Sequence, residues 1–260
     1  ECFAAEDHER SVADAYLTWG WDDPDDPRVL PVGQFKAQKP LGVDHSLAED
    51  LLLVVEGVPR FNHRTDSIGL AHHWSEYFED LCGFAGELPD RLRKALLVRL
   101  PVTDQGRGEA DLWQERLPEV RLDHGGMPMD HLISGTRLYV ATYNSTTYLQ
   151  TFTMDVPTVC FWNPDRWRVR SDADPYFRQM VDAGILHHDF ASAARHVSSI
   201  WDDVHAWWRS DEVVEARLAA TRRFSHLPED IRGEVAAALE GVLGPGWPDG
   251  GGSLGFARGS

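Results

Sequence analysis

A polar segment in the middle of the chain, Tyr143-Asn144-Ser145-Thr146-Thr147, carries three consecutive aliphatic hydroxyls between an apolar run and a stretch with helical spacing. Hydroxyl groups donate hydrogen bonds to phosphate oxygens, and the first turn of a helix adds unpaired N–H groups and a positive dipole end. We therefore predict that this hydroxyl segment (residues 143–147) binds an anionic ligand. The alternative is that Asn144 or Ser145 only caps the helix, since both are common caps. A single cap does not require three hydroxyls.

Two arginines are predicted at the same edge of the sheet as the hydroxyl segment. Arg60 follows the apolar run at residues 51–55, and Arg99 ends the LLVR stretch of a second run. A guanidinium keeps its charge, so an arginine among leucine and valine needs an anionic partner. Arg60 and Arg99 together with the hydroxyls would form an anion cage. The alternative for Arg99 is an internal ion pair with a carboxylate.

The histidine pairs His72-His73 and His187-His188 suggest a metal site, but adjacent histidines point in different directions. No H-x-x-x-H or H-E-x-x-H spacing occurs in the sequence, so we predict no metal. We place His187, and Asn163 after the last apolar run, in the same cleft as the hydroxyl segment. Asp202-Asp203 is interpreted as a solvated or capping pair. No P-loop motif occurs in the sequence. Strings that fit the NAD-binding and serine-hydrolase motifs occur only in the glycine-rich tail, at residues 250–255, where neither follows an apolar run typical of a strand, so both interpretations lose their weight.

The elements that must position these residues alternate regularly after residue 50. Apolar runs typical of strands buried on both faces of a parallel sheet occur at 51–55, 96–100, 120–122, 138–142 and 158–162. Helices are predicted between and after them, including 74–85, a stretch after residue 147, 175–183, 191–208 and 212–224. The alternation predicts a doubly wound, Rossmann-like α/β domain with a parallel sheet and C-terminal helices. Ligands of such domains bind beyond the carboxyl ends of the strands.

Three parts of the chain are predicted. Residues 1–45 are expected to be a linker and the remnant of a preceding domain, with a helix at 6–21. Residues 46–226 form the Rossmann-like domain, and residues 227–260 form a C-terminal helix and a flexible tail rich in glycine and proline. The chain begins with Glu1, so we expect either a removed leader or, preferably, a piece of a longer protein.

Charge and composition restrict the class of partner. A formal net charge of −17 argues against nucleic acid and anionic lipid as general partners, although local arginines and N–H groups can still bind an anion. The three cysteines lack metal-like spacing and suit a reducing cytoplasm. Neither a transmembrane segment nor a signal peptide is expected from the sequence.

Several stretches together resemble one family. DHERSVADAYLTWGW, ELPDRLRKALLVRL, LYVATYNSTTYLQTFTMDVPTVCFWNPDRWRVR, PYFRQMVDAGILH and SSIWDDVHAWW resemble bacterial transferases of surface-carbohydrate biosynthesis, over roughly residues 6–225. That family is similar to the C-terminal, donor-binding half of GT-B glycosyltransferases. The resemblance implies transfer of a sugar from a nucleotide-activated donor to a carbohydrate or lipid-linked acceptor in polysaccharide biosynthesis. The nucleotide sugar is a substrate and no cofactor is implied. We expect a cytoplasmic protein, with peripheral contact to the inner membrane as a further option.

One departure from the family pattern affects the site. Members are expected to read T-T-x-L-E-T-F, whereas this chain has Gln150 in the acidic position. Gln150 can still hydrogen-bond a donor hydroxyl, with a changed preference or rate. The N-terminal half of a GT-B enzyme is also expected to be missing. Two alternatives therefore stay open, namely a sugar-nucleotide epimerase of the same shape and a non-catalytic binding module.

Overall fold

The computed structural model describes residues 4–36, 42–61 and 73–243. Its strands are β1 (Tyr16–Thr18), β2 (Val29–Pro31), β3 (Asp50–Val54), β4 (Leu96–Arg99), β5 (Arg121–Asp123), β6 (Thr136–Ala141), β7 (Thr158–Phe161) and β8 (Leu186–His187). Its α-helices are α1 (Ala4–Val12), α2 (Trp74–Glu87), α3 (Asp90–Ala95), α4 (Glu109–Arg116), α5 (Met129–Ser134), α6 (Thr146–Thr153), α7 (Asp174–Asp182), α8 (Phe190–Ile200), α9 (Val204–Trp208), α10 (Asp211–Phe224) and α11 (Ile231–Leu243). Cys2, His72 and the predicted tail at 244–260 lie outside the described residues.

The main sheet has six parallel strands in the order β5-β4-β3-β6-β7-β8. The chain proceeds outward from β3 to β5, returns to pair β6 with β3, and then proceeds outward on the other side. The predicted doubly wound, Rossmann-like parallel sheet is confirmed. The direction in which successive strands are added to the sheet reverses between β3 and β6. In open α/β sheets this switch point opens a ligand crevice beyond the carboxyl ends of the two strands.

Burial on both faces of the sheet explains the continuous apolar runs. In β3 the side chains of Leu51 and Leu53 enter the core beneath α2 and α8, whereas Leu52 and Val54 enter the core beneath α6. The alternation continues past the strand, because Val55 belongs to the α2 side. Its backbone N–H also donates to the carbonyl of Arg99. The next side chain, that of Glu56, follows the end of the strand, and its charge acts on Tyr77 of α2 and on Tyr143 after β6.

The helix predicted at 191–208 is one helix only as far as Ile200. A 3-10 turn at Trp201–Asp203 follows, because Asp203 leaves the helical region and its carboxylate accepts from the N–H of Ala206, 3.0 Å away, to cap α9. The exposed Asp202 pairs with Arg91. The capping and solvated interpretation of the two aspartates is confirmed. Strand β8 was not predicted, since two residues give no periodic pattern.

The predicted helix at 6–21 is wrong beyond Val12. Residues 16–18 instead form β1, which pairs in parallel with β2 inside the stretch expected to be irregular. Tertiary contacts account for the difference. The N–H of Gln34 donates to the carbonyl of His226 over 2.8 Å, and Ser225 Oγ donates to Gln34 Oε1 over 2.7 Å. The N-terminal segment (residues 4–36) is therefore fastened to the end of α10.

A glycine permits this close approach. Gly33 has a φ of +106°, and a Cβ atom on it would lie 2.5 Å from Cδ of Pro228. A side chain at this position would thus be both strained and in collision. None of the described helices is long and apolar enough to cross a bilayer.

Candidate functional site

The loops after β3 and β6 are joined by buried hydrogen bonds at the switch point. The N–H of Glu56 donates to Tyr77 Oη over 2.9 Å, and Tyr77 Oη lies 2.5 Å from Thr142 Oγ1. Thr142 Oγ1 donates to the carbonyl of Val54 over 2.8 Å, so its single proton is used and Tyr77 must donate to it. This chain of hydrogen bonds, called the Tyr77 relay below, fixes the two loops against each other and against the first turns of α2.

Glu56 brings a carboxyl group into the crevice. It is only 8% exposed, and among the described residues no hydrogen bond or opposite charge reaches the carboxyl. Burial alone raises its pKa to about 8, so the group is mainly protonated at neutral pH. Beside it, burial raises the pKa of Tyr143, and the charge of Glu56 adds to that rise.

The hydroxyl segment follows β6 at the same crevice and leads into α6. Ser145 occupies the N-cap position with extended backbone angles, yet its hydroxyl accepts no capping hydrogen bond. The amide oxygen of Asn144 accepts from the Tyr148 hydroxyl over 3.0 Å, within the segment's own turn. Ser145 therefore has the position of a helix cap, but its hydroxyl does not make the hydrogen bond of a cap.

The first turn of α6 also offers unused hydrogen-bonding groups. Ser145 and Thr146 are half-buried, and no described group bonds either hydroxyl. The Thr147 hydroxyl is buried beside the phenols of Tyr139 and Tyr143 and interacts with both, but makes no hydrogen bond of regular geometry among the described residues. Leading N–H groups of a helix lack intrahelical acceptors. No described loop or side-chain acceptor engages those of Thr146 and Thr147.

The two predicted arginines lie on the β4 side of β3, away from β6. Arg99 is buried and forms an ion pair with Asp123 at the end of β5, and its Nη1 also donates to the carbonyl of Met127 over 3.0 Å. This arrangement is the internal ion pair considered above. Arg60 is exposed, and its guanidinium lies 5.5 Å from the ring of Phe61. In the described part of the chain, neither arginine bonds the hydroxyl segment.

The other predicted site residues are distributed around the same sheet. Gln150 Nε2 makes a long, 3.4 Å hydrogen bond to the carbonyl of Lys36 in the N-terminal segment. Asn163 Oδ1 accepts from the N–H of Asp165 over 2.9 Å, and this turn brings the ring of Trp167 to 6.3 Å from that of Tyr143.

His187 lies on β8, two strands from β6 in the sheet order. Its Nε2 is 3.1 Å from the carbonyl of Gly184, its ring is 5.0 Å from that of His196, and burial lowers its pKa. The structure therefore brings His187 to α8 rather than to the hydroxyl segment.

The sequence interpretation did not select Glu56, Tyr77 and Thr142. A signal for Glu56 existed, since a carboxylate directly follows the apolar run LLLVV where a buried strand ends. Tyr77 lies on the apolar stripe of α2 and looks like an ordinary core residue, and Thr142 looks like the last residue of its strand.

Other parts of the described chain contribute less to a site. No three His, Cys, Asp or Glu side chains converge there as metal ligands would. A surface depression of about 420 Å³ borders Asp80, Cys82, Arg116 and Phe190, on the flank of α2 and away from the switch point. Burial raises the pKa of the Cys82 thiol to about 11, so it is not a reactive thiolate at neutral pH.

Comparison with known protein families identifies the family of this chain. Residues 1–239 match the family described as LIC12162 family transferase. The chain belongs to this family. The resemblance found in the sequence to a bacterial transferase family is thereby confirmed. The chain is a transferase by family, and the family description specifies neither the group transferred nor its acceptor.

Proposed function

We propose that this transferase is a glycosyltransferase that binds a nucleotide-activated sugar at the switch point between β3 and β6. The observation that carries the proposal is the first turn of α6, where the hydroxyls of Ser145 and Thr146 and the N–H groups of Thr146 and Thr147 are used by no described residue. In this function the donor phosphate accepts hydrogen bonds from these groups. The acceptor is a carbohydrate or a lipid-linked carbohydrate, as in surface-polysaccharide biosynthesis.

The physical chemistry of the α6 terminus supports an anionic ligand. The positive end of the helix dipole attracts phosphate, and charge-assisted hydrogen bonds to phosphate oxygens are about twice as strong as neutral ones. The protein's net charge of −17 makes such a local arrangement necessary, because the overall field repels anions. In this proposal Arg60, whose charge has no described carboxylate partner, extends from the loop after β3 across the crevice toward the bound phosphate.

Transfer in this proposal depends on stabilising the leaving group. When the bond between the anomeric carbon and the phosphate oxygen breaks, negative charge grows on that oxygen. Preformed donors on α6 stabilise this charge without reorganisation of the protein. Tyr143, packed on Trp167, forms an aromatic wall beside the same crevice. No metal or cofactor is part of the proposed step.

Calorimetry of the purified chain with CMP-, UDP- and GDP-sugars tests the donor site. Binding is expected for one nucleotide class, and Thr146→Val should weaken it roughly tenfold because one hydrogen bond to a charged oxygen is lost. Thr153→Val is the matched control, since the Thr153 hydroxyl bonds the carbonyl of Gln150 at the other end of α6. Absence of binding by the folded wild-type chain at millimolar ligand would refute the proposal.

Product analysis separates the alternatives. An epimerase converts the donor without an acceptor, whereas a glycosyltransferase releases the nucleotide. A module that binds the sugar nucleotide and never turns it over would be non-catalytic.

A further inference from the structure

Glu56 and the hydroxyl segment stand side by side across the switch point. The β3–β6 register pairs Val54 with Ala141, so Glu56 and Tyr143 are each two residues beyond a paired position. Neighbouring strands are about 4.8 Å apart, and the charge of Glu56 acts on Tyr143 in the loop after β6. A buried carboxyl with no partner among the described residues is thus held beside the loop that leads into α6.

We propose that Glu56 is a catalytic residue, the general acid that gives its proton to the phosphate oxygen leaving the donor. The inference rests on the proposed function, because it takes the donor phosphate to lie on α6. Burying a carboxyl without hydrogen bonds costs free energy, and a bound ligand that forms a hydrogen bond with the carboxyl offsets that cost. A phosphate oxygen in the crevice would accept the proton for which the described protein offers no acceptor.

The proposed step transfers the sugar from the donor phosphate to the acceptor hydroxyl. The acceptor hydroxyl oxygen forms a bond with the anomeric carbon, and the bond from that carbon to the phosphate oxygen breaks. The electron pair of the broken bond goes to the phosphate oxygen, which takes the proton of Glu56. The acceptor hydroxyl releases its own proton, which returns to Glu56 through solvent. The products are the glycosylated acceptor and the protonated nucleotide phosphate.

The groups around Glu56 keep it in the acid form. Tyr77 faces it from α2 and Tyr143 faces it from the loop after β6, and both phenols are neutral because burial raises their pKa. Thr142, at the end of β6, is neutral as well. Among the described residues no cation neighbours the carboxyl to favour its ionised form. A bound phosphate would favour the protonated form further.

Donor hydrolysis and donor binding by the whole chain, followed from pH 6 to 9.5, test the proposal. The probe is whichever of the CMP-, UDP- or GDP-sugars binds the wild type. Wild-type kcat/KM, which reports the pKa of the free enzyme, should fall about tenfold per pH unit above about 8. Glu56→Gln should bind the donor within about threefold of wild type at pH 7, turn it over about 100-fold more slowly or worse, and lose the alkaline fall. Glu49→Gln, an exposed substitution at the other end of β3, should match wild type.

The outcomes distinguish the two proposals. Donor binding together with equal turnover and equal pH profiles for wild type and Glu56→Gln would overturn the role of Glu56 and leave the donor site in place. No binding of any sugar nucleotide to wild type would overturn the donor site and, with it, this inference. Melting curves of both variants exclude misfolding as the cause of a lower rate.

Discussion

At the scale of single residues, burial of the Glu56 carboxyl affects both the stability of the fold and the proposed proton transfer. Its pKa of about 8 in the folded chain exceeds the ordinary value of 4.5 because the carboxyl is buried. The folded state therefore binds a proton more tightly than the unfolded state. The stability linked to that proton is complete below about pH 4.5 and is lost as the pH rises through about 8.

Glu56→Gln should consequently remove a pH dependence of stability. The variant should exceed wild type in free energy of unfolding at pH 9 by on the order of 5 kcal/mol, and the excess should disappear near pH 4.5. Urea denaturation at several pH values measures this difference. The exposed control Glu49→Gln should follow the wild-type curve. An excess that is the same at every pH would show that Glu56 is not a buried acid.

The residues of the site differ in how far the sequence could reveal them. The hydroxyl segment was found because residue types and position before a helix are local information. The ion pair of Arg99 with Asp123 was not predictable as such, since the partner belongs to another strand and only the register of β4 with β5 brings it close. The surroundings of His187 were not predictable for a related reason, because they depend on the unpredicted strand β8.

At the scale of elements, Tyr77 connects α2 with the ends of β3 and β6. Tyr77→Phe would leave the buried N–H of Glu56 without an acceptor, while Thr142 would keep its bond to Val54. We expect a loss of about 1–3 kcal/mol in the free energy of unfolding.

Tyr176→Phe is a suitable comparison for this measurement. The ring of Tyr176 packs on Phe224, and the residue is half-buried. Urea unfolding measures both variants. For Tyr176→Phe the free energy of unfolding should change by at most about 0.5 kcal/mol. Equal effects of the two substitutions would mean that the Tyr77 relay does not hold the loops together.

Strands and helices were predicted correctly where the pattern of apolar residues is long. Apolar runs of four or five residues identified the central strands, because burial on both faces makes every position apolar. Strands β1, β2 and β8 have two or three residues each and depend on partners distant in sequence. The helix predicted at 6–21 failed beyond Val12 for that reason, since the pairing of β1 with β2 overrides a helical spacing of apolar residues.

At the scale of the whole molecule, the first residues of the described chain are fixed to the last helices of the Rossmann-like fold. Gly33→Ala should loosen this attachment, because the new Cβ would meet Pro228 and the backbone would be strained at a φ of +106°. We expect a loss of on the order of 1–3 kcal/mol and faster hydrogen exchange in residues 16–34.

Gly86→Ala is the same substitution at another glycine, and it should raise the stability rather than lower it. Gly86 lies in α2 with open space around its Cα, so alanine should stabilise the helix by about 0.5–1 kcal/mol. Thermal unfolding and hydrogen exchange of both variants complete the test. Unchanged exchange in residues 16–34 of Gly33→Ala would contradict the attachment.

The bond from Gln150 to the carbonyl of Lys36 joins the helix of the site to the N-terminal segment. A donor that took the Gln150 amide would have to displace this contact. Ligand occupancy and docking of the segment would then oppose each other by equal factors in both directions, as linked equilibria require. The bond is long and exposed, so the factor would be small, but it would make the N-terminal segment a competitor of the donor for one side chain.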